Sequence, residues 1–156
     1  MKILYICTHN RCRSILSEAI TNHIAGPHIE ARSAGSQPSG EVHPLSIKHL
    51  AEAGIATADL HSQSWDEFEE FAPDVVVTVC DSAAGESCPV WFGKSVKVHW
   101  GLADPSKLKG TDTEKAAAFD VCMDAIHQRV KQLLPLAKQN LVGDDLKQAL
   151  QKLGAV

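Results

Sequence analysis

Short apolar runs alternate with helix-period segments along the whole chain, and this alternation leaves few architectures open. Ile3-Leu4-Tyr5-Ile6 is short, continuous and rich in strand formers, the pattern of a strand buried on both faces. From Ser14 onward Ile15, Leu16, Ala19, Ile20 and Ile24 recur at helical spacing until Gly26-Pro27 stops the helix. Ile29 to Ser33 predicts a second strand, followed by Gly35. Pro44 to Ala53 predicts a second helix with Gly54 as its stop, and Trp65 to Phe71 a short helix. Val75 to Val79 is the clearest buried strand; Ser95 to His99 is a weaker fourth. Thr111 and Glu114 have capping-box spacing ahead of a long helix with Phe119, Cys122, Ile126, Val130, Leu133 and Leu134 on one stripe. After Gly143, Leu146, Leu150 and Leu153 mark a short amphipathic helix whose stripe packs on the domain. Strand and helix alternation of this kind means an α/β fold with a mainly parallel sheet.

The 156 residues suit one domain, and 44% apolar with 22% charged residues exclude disordered, collagen-like and coiled-coil chains. A net charge of -4 argues against nucleic acid as a partner, while a locally basic site can still hold a small anion. No apolar run approaches a membrane span, and the N-terminus lacks a signal-peptide core. Five cysteines, an odd number, read as reduced or catalytic thiols rather than a disulfide scaffold. The expectation is a cytoplasmic, soluble monomer with no membrane contact.

In parallel sheets ligands bind beyond the carboxyl ends of the strands. Between the first strand and first helix lies Cys7-Thr8-His9-Asn10-Arg11-Cys12-Arg13-Ser14. A loop feeding a helix N-terminus turns free backbone N–H groups inward, and the helix dipole adds positive partial charge. The stretch from Thr8 to Ser14 is therefore the candidate oxyanion site, closed by the planar fork of Arg13. The same field is expected to lower the Cys7 thiol toward the thiolate, with the Ser14 hydroxyl donating to its sulfur. A zinc reading of Cys7, Cys12, Cys80 and Cys88 fails on spacing, because seven residues separate Cys80 from Cys88. The sequence predicts no metal and no cofactor.

Cys-x5-Arg-Ser within the first fifteen residues resembles the phosphate loop of the low-molecular-weight protein tyrosine phosphatase superfamily. Ser33-Ala34-Gly35 after the second strand, Pro44 at the second helix and the late Asp104-Pro105 extend the likeness over Met1 to Lys138. The resemblance implies a three-layer sandwich: a four-stranded parallel sheet, the first strand beside the third, with helices on both faces. It divides the chain into a catalytic domain, 1–138, and a C-terminal extension, 139–156. The superfamily holds phosphatases and thioredoxin-coupled arsenate reductases on one scaffold.

Two features favour the reductase. Cys80 follows the third strand as Cys7 follows the first, so both sulfurs are expected at one mouth, with Cys88 seven residues beyond, in a segment containing Gly85 and Ser87. After Asp104-Pro105 come Ser106 and Lys107, where family phosphatases place tyrosines, and Tyr5 is the chain's only tyrosine. A small inorganic oxyanion fits such a pocket better than an aryl phosphate. By resemblance, Cys7 attacks arsenate held by the loop and Arg13, Asp104 is the general acid, and Cys80 and Cys88 form the redox pair. Thioredoxin re-reduces them, with glutaredoxin and glutathione as the other donor. The Cys80–Cys88 step requires the intervening segment to rearrange, since a disulfide needs Cα atoms within about 7 Å. That cysteine spacing is longer than the family's best-described reductases have. A potassium site found in some members is matched here by Asn10, Glu18 and Ser33, but Ser64 stands where an Asp is expected.

Two other functions fit the same scaffold: phosphomonoester hydrolysis, and a non-catalytic thiol sensor of oxyanions or redox state. Cys12 reads as structural, Cys122 as core, and His9 as a solvent-facing loop residue. Trp91 and Trp100 flank the presumed redox segment, with core packing as their default.

Overall fold

The computed structural model describes residues 1–80, 95–139, 141 and 143–154. Cys88, Trp91 and the rest of the segment from 81 to 94 lie outside the described residues. The elements are β1 (Lys2–Ile6), α1 (Arg13–Ala25), β2 (Glu30–Ala34), α2 (Pro44–Glu52), β3 (Val75–Thr78), β4 (Val96–His99), α3 (Asp112–Gln139) and α4 (Gly143–Gly154). Among the described residues, single 3-10 turns occur at Trp65–Phe68 and Pro105–Lys107.

The strands form one four-stranded sheet in the order β2-β1-β3-β4. All pairings are parallel, with Ile3 opposite both Ala31 and Val75, and Val75 opposite Val96. The expected fold, with the first strand beside the third, is what the chain adopts. Helices cover both faces, which is why Ile3, Leu4, Tyr5 and Ile6 are buried without alternation. Their backbone N–H and C=O groups are used up in the two neighbouring strands, and the apolar side chains on either face pack under helices.

The local signals act where the sequence put them. Gly26 ends α1 in an extended conformation, and Pro44 opens α2 behind His43, whose Nδ1 accepts from Leu45 N at 3.1 Å. Thr111 Oγ1 caps α3 by accepting from Glu114 N at 3.2 Å. The helix expected over Trp65 to Phe71 is shorter: a capping box between Ser64 and Glu67 starts a 3-10 turn that ends at Phe68. Ala72 then sits at φ 48°, a left-handed conformation that no helix continues through, and Pro73 follows. In α4, Leu146 and Leu150 are buried, and Leu150 O accepts from the indole N–H of Trp100 at 3.1 Å. Trp100 is a core residue, as the default reading had it.

Candidate active site

The register sets the site. Ile6 lies opposite Thr78, so the chain leaves β1 and β3 side by side, with Cys7 just past one end and Val79-Cys80 just past the other. Cys7, Thr8, His9, Arg11, Cys12 and Arg13 line a pocket of about 170 Å³ together with His43, Cys80, Asp104, Ser106 and Lys107. Both sulfurs do share one mouth. Cys7 and Cys80 are each buried, their thiols in hydrogen-bond contact, and Thr8 Oγ1 lies 3.8 Å from Cys80 Sγ.

The loop after β1 is held from outside through its carbonyls. Thr8 O accepts from Gln37 N (2.9 Å), His9 O from Ser39 N (3.0 Å) and Arg11 O from His43 N (2.9 Å). Within the loop Asn10 N donates to Cys7 O (3.3 Å), while the first amides of α1 have no intrahelical acceptor. Gly35 leaves room for the loop: a Cβ there would overlap the carbonyl oxygens of Thr8 and Cys7. Asn10 takes φ 45° at the turn of the loop, where Asn is one of the few tolerated side chains.

Asn10 is fully buried behind the loop rather than in the pocket. Its Oδ1 accepts from Gln63 N (2.8 Å), and Nδ2 donates to Ser14 Oγ (2.9 Å) and Ser33 Oγ (3.0 Å). Ser33 Oγ in turn donates to Glu18 Oε1 at 2.6 Å. Ser14 Oγ thus accepts from Asn10, and no bond from Ser14 to the Cys7 sulfur accompanies it. Burial, opposed by the Ser33 bond and Arg32, raises Glu18 from 4.5 to about 7. These contacts do not suit a potassium ion. The Asn10 carbonyl oxygen is already used by Gln63, an amide N–H₂ points at both serine hydroxyls, and Ser64 Oγ caps its own turn by accepting from Asp66 N. The network holds the loop's backbone.

Arg13 bridges the site's two halves. Nη1 donates to Leu102 O at 3.1 Å and Nη2 stands 3.5 Å from Asp104 Oδ2. Nε of Arg13 is buried with no hydrogen-bond partner among the described residues. A buried unsatisfied donor costs about 1–3 kcal/mol. Asp104 Oδ1 accepts from Ser106 N (2.9 Å) and Ser106 Oγ (2.6 Å), so the acid caps its own 3-10 turn.

The structure corrects one electrostatic expectation. Cys7 is not held as a thiolate here: the adjoining Cys80 thiol and burial push it up, and Arg13 only partly opposes them. Arg13 is weakened in that role because it is already paired with Asp104. Burial likewise raises Cys12 to about 11 and Cys122 to about 12, so both remain protonated. His9 is exposed, with Nδ1 3.1 Å from Gln37 O, which suits its reading as a loop residue. Three lining residues escaped the sequence reading as site residues: His43, Ser106 and Lys107. Their only signal was position, beside Pro44 and after Asp104. Burial and nearby Arg11 lower the His43 imidazole from its ordinary value.

A buried cysteine at the start of a loop that feeds a helix N-terminus, with an arginine fork and a carboxylic acid lining the same pocket, is a site suited to tetrahedral oxyanions. The sequence matches the low molecular weight phosphotyrosine protein phosphatase family over residues 2–151, and the chain belongs to that family. It is 37% identical over 129 residues to an arsenate reductase of Halalkalibacterium halodurans, spanning 83% of this chain and 91% of that one. It is 34% identical to an arsenate reductase of Bacillus subtilis, over 88% of this chain and 98% of the other. Among solved structures, the thioredoxin-dependent arsenate reductase of Corynebacterium glutamicum superposes with TM-score 0.68 at 28% identity. It covers 90% of this chain, and the chain spans 63% of its length. An arsenate reductase of Archaeoglobus fulgidus superposes with TM-score 0.69 at 26% identity, covering 85% of this chain and 98% of that one. Among the described residues no helix is long and apolar enough to cross a membrane.

Proposed function

We propose that the chain reduces arsenate to arsenite through a relay of Cys7, Cys80 and Cys88 that ends on thioredoxin. The observation that carries this reading is the second buried thiol, Cys80, in contact with Cys7 inside an oxyanion pocket. A phosphatase needs one sulfur there; a neighbouring thiol only invites an inactivating disulfide. A reductase must draw two electrons from thiols.

The oxyanion is held by the loop amides and Arg13, whose fork matches two oxygens of a tetrahedral anion. The bound arsenate dianion takes the Cys7 proton, and the resulting thiolate attacks arsenic while Asp104 protonates the departing hydroxyl, which leaves as water. Two adjoining thiols do not ionise together easily, because the second charge would sit against the first. Bonding to arsenic removes the charge on Cys7, and Cys80 can then ionise. Its thiolate attacks the Cys7 sulfur: the S–S bond forms, the S–As bond breaks, and its electron pair stays on arsenic, giving arsenite. Cys88 next attacks Cys80 and releases the Cys7 thiolate. A dithiol such as thioredoxin reduces the Cys80–Cys88 disulfide.

The supporting experiment couples the protein to thioredoxin, thioredoxin reductase and NADPH, beside an assay of p-nitrophenyl phosphate hydrolysis. Arsenate-dependent NADPH oxidation supports the reading. Hydrolysis without any arsenate-dependent oxidation, with either thioredoxin or glutaredoxin and glutathione supplied, overturns it in favour of a phosphatase. Binding without either activity makes the chain a sensor.

A further inference from the structure

We propose that Arg129 is a positioning residue for Asp104, acting through the backbone that carries the acid; the inference rests on the general-acid reading of Asp104. Arg129 reaches from α3, half-buried, and donates Nη1 to Trp100 O (3.0 Å) and Nη2 to Gly101 O (3.4 Å). Its guanidinium lies 5.9 Å from the centroid of the Trp100 ring. On the other side Arg13, from α1, donates to Leu102 O. Three successive carbonyls ahead of the acid are therefore fixed by two guanidinium groups on different helices. No carboxylate pairs with Arg129 among the described residues, so its fork is spent on this backbone.

The stretch from Trp100 to Asp104 is neither helix nor strand, and Gly101 gives it a residue of wide conformational freedom. Its inner edge leans on the strand that presents Cys80: Trp100 N donates to Thr78 O (2.8 Å) and Leu102 N to Val79 O (2.9 Å). The Trp100 indole is anchored in turn on Leu150 O in α4. Arg129 is the outer clamp that keeps Asp104 at the distance from the pocket that proton transfer requires. A displacement of about 1 Å at such a group is enough to cost up to roughly 10²-fold in rate.

The test is a double-mutant cycle on the first chemical event. Fully reduced protein is mixed with excess arsenate and no reductant, and formation of the Cys7–Cys80 disulfide is timed in the Cys88→Ser background. Asp104→Asn should slow it about 10²-fold. Arg129→Met should slow it about tenfold at saturating arsenate, leaving half-saturation and the affinity for inorganic phosphate within about twofold. In the Asp104→Asn protein Arg129→Met should add nothing, because there is no acid left to position. Arg129→Lys, which keeps one donor, should fall between, and it replaces Arg129→Met in the cycle if that variant no longer binds phosphate. Equal slowing by the Arg129 substitution in both backgrounds, or no slowing in either, overturns the proposal. An unchanged rate for Asp104→Asn alone overturns the general-acid reading instead.

Discussion

Arg13 and Asp104 face each other across the pocket, Nη2 to Oδ2 at 3.5 Å, while the same guanidinium holds Leu102 O. One side chain from α1 therefore joins the loop after β1 to the loop after β4. Both line the pocket, and on the proposed mechanism an entering oxyanion pairs with Arg13 and offers Asp104 a leaving oxygen to protonate.

Arg13→Lys tests the fork. Lysine keeps the charge but offers a single point donor in place of two parallel N–H groups. Phosphate affinity measured by calorimetry should fall by at least about tenfold, and arsenate-dependent turnover by more. Unchanged affinity would mean that the loop amides alone hold the anion.

Gly35→Ala tests the cradle. The new methyl meets the Thr8 and Cys7 carbonyl oxygens, both backbone atoms, so the loop must move. The expected outcome is lost phosphate binding together with destabilisation of about 1–3 kcal/mol by urea unfolding. A variant that binds phosphate normally contradicts this role for Gly35.

Glu18 gives a pH dependence with a definite sign. Its folded value of about 7 lies above the 4.5 of the free carboxyl. The folded state therefore keeps a proton that the unfolded chain has lost, and this contribution is complete below pH 4.5. It disappears as pH rises through about 7, and a shift of that size amounts to about 3 kcal/mol. Glu18→Gln, neutral throughout, should lack this slope, so its stability relative to the original protein should improve from pH 4.5 to pH 8. Parallel unfolding curves across that range would contradict the assignment.

The Cys80 thiol separates the two enzymatic readings. Cys80→Ser should reduce arsenate turnover to background while leaving any p-nitrophenyl phosphate hydrolysis intact; Cys7→Ser should abolish both. Normal arsenate turnover by the Cys80→Ser protein would remove Cys80 from the relay.

Much of this was legible because the signals are local. The apolar runs at Ile3 and Val75 fix buried parallel strands, and the strand-end positions of Cys7 and Cys80 follow from the register alone. Arg13 and Asp104 were likewise readable from motif and order. Less legible were consequences of long-range geometry. The Cys7 thiol was expected to be lowered by the helix N-terminus, but sequence cannot show that Cys80 sits against it or that Asp104 already engages Arg13. Ser14 was expected to donate to Cys7, whereas the fold shows its oxygen accepting from Asn10 at a left-handed turn that no spacing rule encodes. His43 and Lys107 reach the pocket from neighbouring segments, and Arg129 contacts backbone 28 and 29 residues away, which no spacing rule encodes.

The central claim is that electrons leave through sulfur. Reduced protein given one equivalent of arsenate and no reductant should yield one equivalent of arsenite and one disulfide by peptide mapping. That disulfide should join Cys80 to Cys88 in the unaltered chain and Cys7 to Cys80 when Cys88→Ser blocks the last exchange. Arsenite formed without a disulfide, or a disulfide that leaves Cys80 free, would contradict the account.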